Sequence, residues 1–336
     1  MNPRQRGIAM LTAIILVAVA AIVGTAIAWQ SQLAARRGIA VFTVAQSLAL
    51  AEGAEALAGY ALRMNRQHHP QTVAPTQDWA KPYGPVELEA GAVLEAALED
   101  QAGKFNLNSV VMGAAGGPAP GSPVPVTPGI APAPAANVPL VENQDAFAQF
   151  EALLAGLNID TAYAARLVDW IDSDDQPLFP GGAEDSYYLA QQPSHRVLNL
   201  PLTSVSELLA MGMDRASYDK LVPFITALPP DTPLNLCSAP GEVLDAVSGT
   251  RSYALDPKAL IAQRQQFNCY PDRTTFLSGV LAAHRSYVER HVAMDSHYFR
   301  LRTWITIGTT RFTLYSLMSQ DAGGQIRPVL RTFGTE

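Results

Sequence analysis

Hydrophobic positions along this chain change spacing from one stretch to the next, and each spacing predicts a different element. The first stretch is unbroken: from Ile8 to Ala28 only Thr12 and Thr25 are polar. As a helix rising about 1.5 Å per residue it reaches roughly 30 Å, the thickness of a bilayer core. A cleaved secretory signal has a shorter apolar region, about 7 to 15 residues, so a retained membrane span is predicted. Beyond Trp29 the residues Ser31 to Met64 contain no proline and are rich in alanine, leucine and glutamine, which continues the helix as a stem. Ala40, Val44, Leu48, Ala51, Glu55 and Ala58 fall at helical spacing and mark a face for the sheet that follows. His68-His69-Pro70 ends the helix, and this histidine pair reads as solvated surface rather than a metal site.

Period-two alternation then appears twice. Val86 to Glu89, a turn at Ala90-Gly91-Ala92 and a return strand through Leu98-Glu99-Asp100 and Phe105 to Asn108 predict a hairpin over Pro85 to Asn108. Residues Val93 to Leu98 fit the start of a short helix equally well. Near the end of the chain Phe299, Leu301, Thr303, Ile305 and Ile307 alternate with Tyr298, Arg300, Arg302, Trp304 and Thr306. Turns at Gly308 to Thr310 and at Ala322 to Gln325 lead into Arg311 to Gln320 and Ile326 to Phe333, a three-stranded antiparallel sheet.

Helical spacing fills the middle. Phe147, Phe150, Leu153, Leu154 and Leu157 mark one helix and Ala162 to Ile171 a second. Thr203 to Glu207 opens another, Ser217 to Leu228 follows it, and Asn235 to Leu244 is again a turn into a helix. Because these helices separate the hairpin from the closing strands, they read as an insertion into one α/β domain. The pairs resemble helix-hairpin-helix or SAM-like units, which meet phosphate in DNA-binding proteins. Here the flanks carry Glu207, Asp214, Asp219, Glu242 and Asp245 against Arg215 and Lys220, so a protein-binding or structural module is predicted instead. Gly113 to Pro139 holds eight prolines, five glycines and no charge in 27 residues, which predicts an extended spacer rather than a core.

Composition narrows the function. A formal charge of −7 and a pI near 5.4 give no electrostatic basis for binding nucleic acid. Neither GxSxG nor HExxH occurs, which leaves a membrane-anchored periplasmic hydrolase or DNA-uptake protein as an alternative without a motif behind it. Cys237 and Cys269 lack CxxC spacing; in an oxidising compartment they form one disulfide, and otherwise they are two buried thiols. The densest chemistry lies between Asp169 and Asp185, six carboxylates within 17 residues that also hold glycine and proline. Hard oxygen ligands in a loop suit calcium, with Asp172, Asp174, Glu184 and Asp185 as candidate ligands. Counting from Asp172, Pro177 stands at position six and Ala183 at twelve, so the loop is not an EF-hand. A solvated acidic turn that caps helices is the other reading.

The leader Met1 to Gly7, with Arg4 and Arg6, runs straight into Ile8-Ala9-Met10-Leu11-Thr12. This resembles the type IV prepilin pattern, a basic leader that ends in glycine. The resemblance implies that prepilin peptidase cuts after Gly7, that Ile8 becomes the first, N-methylated residue, and that the apolar helix is kept. Most pilins carry glutamate at mature position five, where this chain has Thr12. An intramembrane carboxylate is costly unless paired, so a subunit without one need not pair with a subunit beyond it, as at a fibre tip.

Four further segments, Glu99 to Asn108, Asp169 to Tyr188, Arg196 to Leu208 and Asn235 to Leu244, are together similar to general secretion pathway protein K, a family of large minor pseudopilins of the type II secretion system. The likeness implies an α+β fold: a long N-terminal helix with an antiparallel, pilin-like sheet, interrupted by a large helical insertion. Its expected divisions are a leader at 1–7, a transmembrane part at 8–28, stem and first pilin-like part at 29–112, spacer at 113–139, helical insertion at 140–290 and closing strands at 291–336. It also implies calcium sites, a tip complex with other minor pseudopilins, contact with the major pseudopilin, and a non-enzymatic part in starting pseudopilus assembly and in export across the outer membrane. The expected location is the inner membrane, single-pass, N-terminus cytoplasmic and bulk periplasmic.

Overall fold

The computed structural model describes residues 3–88, 91–113, 139–249, 257–265, 268–321 and 323–334. Most of the expected spacer, Glu89 of the expected strand and Ala90 of the expected turn lie outside them. A single helix, α1 (Pro3–His68), contains the predicted span and stem without a break, and it is long and apolar enough to cross a membrane. Every side chain from Met10 to Phe42 is exposed. Burial begins at Ser47 and continues through Ala51, Ala54, Ala58 and Leu62, one face of the helix. The predicted stripe therefore starts too early: Ala40 and Val44 are exposed, because the sheet covers only the upper end of α1.

That sheet starts with the hairpin β1 (Tyr83–Glu87) and β2 (Ala92–Asp100). The helical option for Val93 to Leu98 is excluded, since β2 is paired along both edges. The chain then leaves through β3 (Phe105–Asn106), β4 (Val111–Gly113), β5 (Leu140–Glu142), α2 (Gln144–Gly156), α3 (Ala162–Ile171), α4 (Asp185–Tyr188), α5 (Glu207–Ala210) and α6 (Arg215–Leu221). It continues through β6 (Ile225–Thr226), β7 (Leu234–Asn235), α7 (Gly241–Ser248), α8 (Pro257–Gln265), α9 (Arg273–Leu277), α10 (Arg285–His291) and β8 (Val292–Ala293). It returns as β9 (Tyr298–Ile307), β10 (Thr310–Gln320) and β11 (Ile326–Phe333), giving a five-stranded sheet of order β1-β2-β9-β10-β11. The closing strands thus join the hairpin through β2 and β9, as expected for an insertion into one α/β domain.

One face of the sheet packs on α1. Leu94, Leu301, Ile305, Leu314 and Met318 meet the alanines of the stem, whose small side chains let helix and sheet approach closely. Each fully buried leucine or isoleucine contributes roughly 1.5 to 3 kcal/mol. One charge enters this layer: the buried Glu55 carboxylate accepts from Ser316 Oγ at 2.5 Å, Arg331 Nε at 2.9 Å and Arg331 Nη2 at 2.6 Å, clamping β11 to the stem.

The helical region has its own core, centred on Phe150, Leu153, Leu154, Leu167, Leu221, Val243 and Leu244. Phe105-Asn106 belongs there and not to the hairpin, because β3 pairs in parallel with β6. The helix expected over Ser217 to Leu228 stops at Leu221, where Pro223 falls in a 3-10 turn that leads into β6.

Buried polar side chains stitch the regions together. Asn108 Nδ2 donates to the carbonyls of Leu202 and Leu228, both at 2.9 Å, while its Oδ1 accepts from Leu202 N at 2.7 Å. Asn106 does the same for Leu228 N and Pro229 O. Asp100, at the end of β2, accepts from Ala102 N, Asn235 Nδ2, Ser238 Oγ and Ser296 Oγ, so it ties the point where the chain leaves the sheet to the point where it returns. Burial pushes its carboxyl upward against those hydrogen bonds. Cys237 and Cys269, both buried, are joined as a disulfide beside this junction.

Candidate metal centre

The acidic turn is built on the C-terminal end of α3. That helix is amphipathic: Ala164, Leu167, Val168 and Ile171 fill the core, and Trp170 packs edge-on against Tyr188 with ring centroids 5.1 Å apart. Asp169, on its last turn, is fully buried and accepts from Leu178 N at 3.0 Å, which folds the following loop back over the helix end. Gly182 is required at the return, because a side chain there would strike the Asp169 carboxylate and Leu178.

This folding brings together Asp172, Asp174 and Glu184, whose nearest oxygens lie within 4.8 Å of one another. Asp172 is 7% exposed and Glu184 3%. Both oxygens of Glu184 and Oδ1 of Asp172 have no hydrogen-bond partner. Burial, followed by the charge of Asp169 and Asp172, pushes Glu184 up to about 7. Burial and then Asp174 and Asp169 push Asp172 up to about 7. Buried carboxylate oxygens without donors are costly and uncommon, and a cation among them would supply the missing partner. The donors are all oxygen, which fits a hard divalent ion.

Asp185 does not belong to this cluster. Its oxygens face outward and accept from Arg196 Nη1 and from Val197 N, each at 3.0 Å, so it anchors the segment that follows α4. Asp169, which the sequence pattern did not single out as a site residue, is the organiser of the loop; the signal was a carboxylate on the apolar side of an amphipathic helix. At the other end of the chain, Gly7 and Ile8 fall in the first turns of α1 and Thr12 is exposed on it.

A family model described as type II secretion system, protein K, matches residues 103–230, a span that contains the whole acidic turn. Type II secretion system protein K of Pseudomonas aeruginosa is 31% identical over 349 residues, covering 99% of this chain and 94% of that protein. The chain belongs to the type II secretion system protein K family. The protein K of Klebsiella pneumoniae is 28% identical over 345 residues, covering 99% and 96%. The fold agrees with a chain in the crystal structure of the GspK-GspI-GspJ complex from the type 2 secretion system of enterotoxigenic Escherichia coli. TM-score is 0.69 at 25% identity, covering 89% of this chain and all of that one.

Within this protein K chain the motifs divide by role. The segment Glu99 to Asn108 is structural, since Asp100, Asn106 and Asn108 spend their polar groups on backbone and side-chain partners. Glu207 likewise closes a local turn, accepting from Thr203 N, Ser204 N and Trp170 Nε1. Among the described residues, only the acidic turn leaves buried carboxylate oxygens of two residues in one cluster without partners.

Proposed function

We propose that this chain is a minor pseudopilin that caps the type II secretion pseudopilus, starts its assembly and supports protein export across the outer membrane, without enzymatic activity. The observation that carries the reading is the contrast along α1: a helix exposed from Met10 to Phe42, apolar as far as Trp29, beneath a head with packed cores of its own. Such a helix is covered by no other described part of its chain and packs with lipid and neighbouring stems. Prepilin peptidase removes the leader after Gly7 and Ile8 is methylated, leaving the chain single-pass in the inner membrane with its head in the periplasm. Thr12, in place of a carboxylate, frees it from pairing with a subunit beyond. Its partners are two other minor pseudopilins, the counterparts of GspI and GspJ in the related complex, and the major pseudopilin below.

Calcium is the proposed ion of the acidic turn, held by Asp172, Asp174 and Glu184. When bound it neutralises the buried carboxylates and fixes the loop to α3. The test of the whole reading is co-expression of the full chain with its two candidate partners. A stable ternary complex, together with a mature mass lacking seven residues and carrying one methyl group, is expected. A chain that retains its leader and purifies alone sinks the reading.

A further inference from the structure

The loop that turns its carboxylates inward has an outer side. Leu178, Phe179 and the two residues after them wall a cleft of about 460 Å³ between this loop, α2 and the start of α3. Phe179 is 93% exposed, the most exposed large apolar side chain among the described residues. The backbone that presents it is fixed: Leu178 N donates to Asp169, Gly182 N donates to Leu178 O at 2.8 Å, and Arg166 Nε donates to Gly181 O at 3.4 Å. The ring is therefore held out in water by a pinned turn, beside Phe147 on the opposite wall. Three carboxylates, Glu142, Glu151 and Asp160, line the same cleft, and among the described residues no lysine or arginine does. The field of Glu142 reaches the neighbouring turn, where it helps raise Asp169 and Asp172.

We propose that this cleft is a docking site for a partner segment in which an apolar side chain is flanked by lysine or arginine. Charge complementarity selects that occupant. A wholly apolar segment would strip water from the carboxylates of Glu142 and Asp160, and an anionic one would be repelled. A basic and apolar segment sets its side chain against Phe179 and Phe147 and its cations against the rim, where a guanidinium also meets the face of a ring favourably. The proposal stands apart from the tip-subunit reading and from the identity of the ion in the turn.

The test titrates the full-length chain in detergent micelles, with calcium present throughout, against a fluorescein-labelled peptide that alternates arginine with leucine. A control peptide carries glutamate in place of each arginine, protein-free micelles are the blank, and anisotropy is read. The basic peptide alone should bind, and raising salt should weaken it about tenfold, as for partly exposed charges. Phe179→Ala and the double variant Glu142→Gln with Asp160→Asn should each weaken binding about tenfold. Glu87→Gln, on the sheet, should stay within about twofold. All the substituted groups lie at the surface, and matching thermal melts confirm that the variants are folded. The proposal is overturned by absent binding of the basic peptide, by equal binding of the acidic one, by full-strength binding to Phe179→Ala, or by equal weakening in Glu87→Gln, which would mean general attraction to an acidic protein.

Discussion

On the sheet side of the molecule, α1 buries Ala51, Ala54, Ala58 and Leu62 against Leu94, Leu301 and Ile305, and few polar groups enter that layer. On the helical side, short helices of four to thirteen residues surround a core pierced by Asn106, Asn108, Asp169, Glu184 and Asn235, all buried. The first region coheres because two regular surfaces match where the upper end of α1 meets the sheet. The second coheres because particular polar side chains, one disulfide and one acidic turn hold irregular segments in place. The sheet side should therefore lose stability in small increments when its apolar residues are trimmed, whereas single polar substitutions should be severe on the helical side.

The sharpest probe is the junction. Asp100→Ala removes the acceptor for Ala102 N, Asn235, Ser238 and Ser296 at once and leaves those donors buried. At about 1 to 3 kcal/mol for each orphaned group, partly relieved by relaxation, a loss of about 4 kcal/mol is expected in denaturant unfolding. A loss under about 1 kcal/mol would break the comparison, since the helical region would not depend on its polar hub. Next is the disulfide. Its closed loop spans a sequence separation of 32, so replacing both Cys237 and Cys269 by serine should cost about 3.7 kcal/mol in the loop-entropy account. The loss should appear in protease protection of the helical region before that of the sheet.

The sheet side has one exception to its regularity, and it gives the next test. Arg331→Ala leaves the Glu55 carboxylate buried with only Ser316 as donor. The guanidinium is 37% exposed, so water screens part of the pair, and a loss of about 2 kcal/mol is expected rather than the larger cost of a fully buried pair. Arg331→Lys should recover part of it. An unchanged melting temperature would mean that the strand β11 is held by its ladder alone.

The same contrast explains what the amino-acid sequence reveals. Strands β9, β10 and β11 and the end of α1 at His68 are legible because alternation and a proline break act locally. The acidic turn was legible as a cluster, and three of its four candidate ligands do converge. Asp185 was not separable from Glu184 by spacing, because the start of α4 rotates one carboxylate inward and the next toward Arg196. The role of Asn106 and Asn108 was hidden for a related reason: their partners, Leu202, Leu228 and Pro229, lie about a hundred residues away in sequence. The early start of the stem stripe comes from Ala40 and Val44, apolar residues that suit a buried face and an unburied stem packing on neighbours equally.

The smallest expected effect is also the one that separates a metal centre from a solvated acidic turn. Free aspartate and glutamate titrate near about 4, whereas Asp172 and Glu184 are raised to about 7 in the folded chain. Between those values the folded state holds more protons than the unfolded one, so stability without an ion should fall as pH rises from about 4 to about 7 and stay low above it. In chelator, the melting temperature should drop by about 2 °C from pH 5 to pH 8. Calcium should restore it at pH 8 and do little at pH 5, where the ligands are protonated. Magnesium, which demands octahedral geometry and keeps its waters, should restore less. Glu184→Gln removes one of the raised carboxylates, so in chelator at pH 8 it should melt above the wild type while losing the calcium response. A flat pH profile in chelator combined with no calcium shift would place these carboxylates in solvent, and the helical region would then rest on its hydrogen bonds and its disulfide alone.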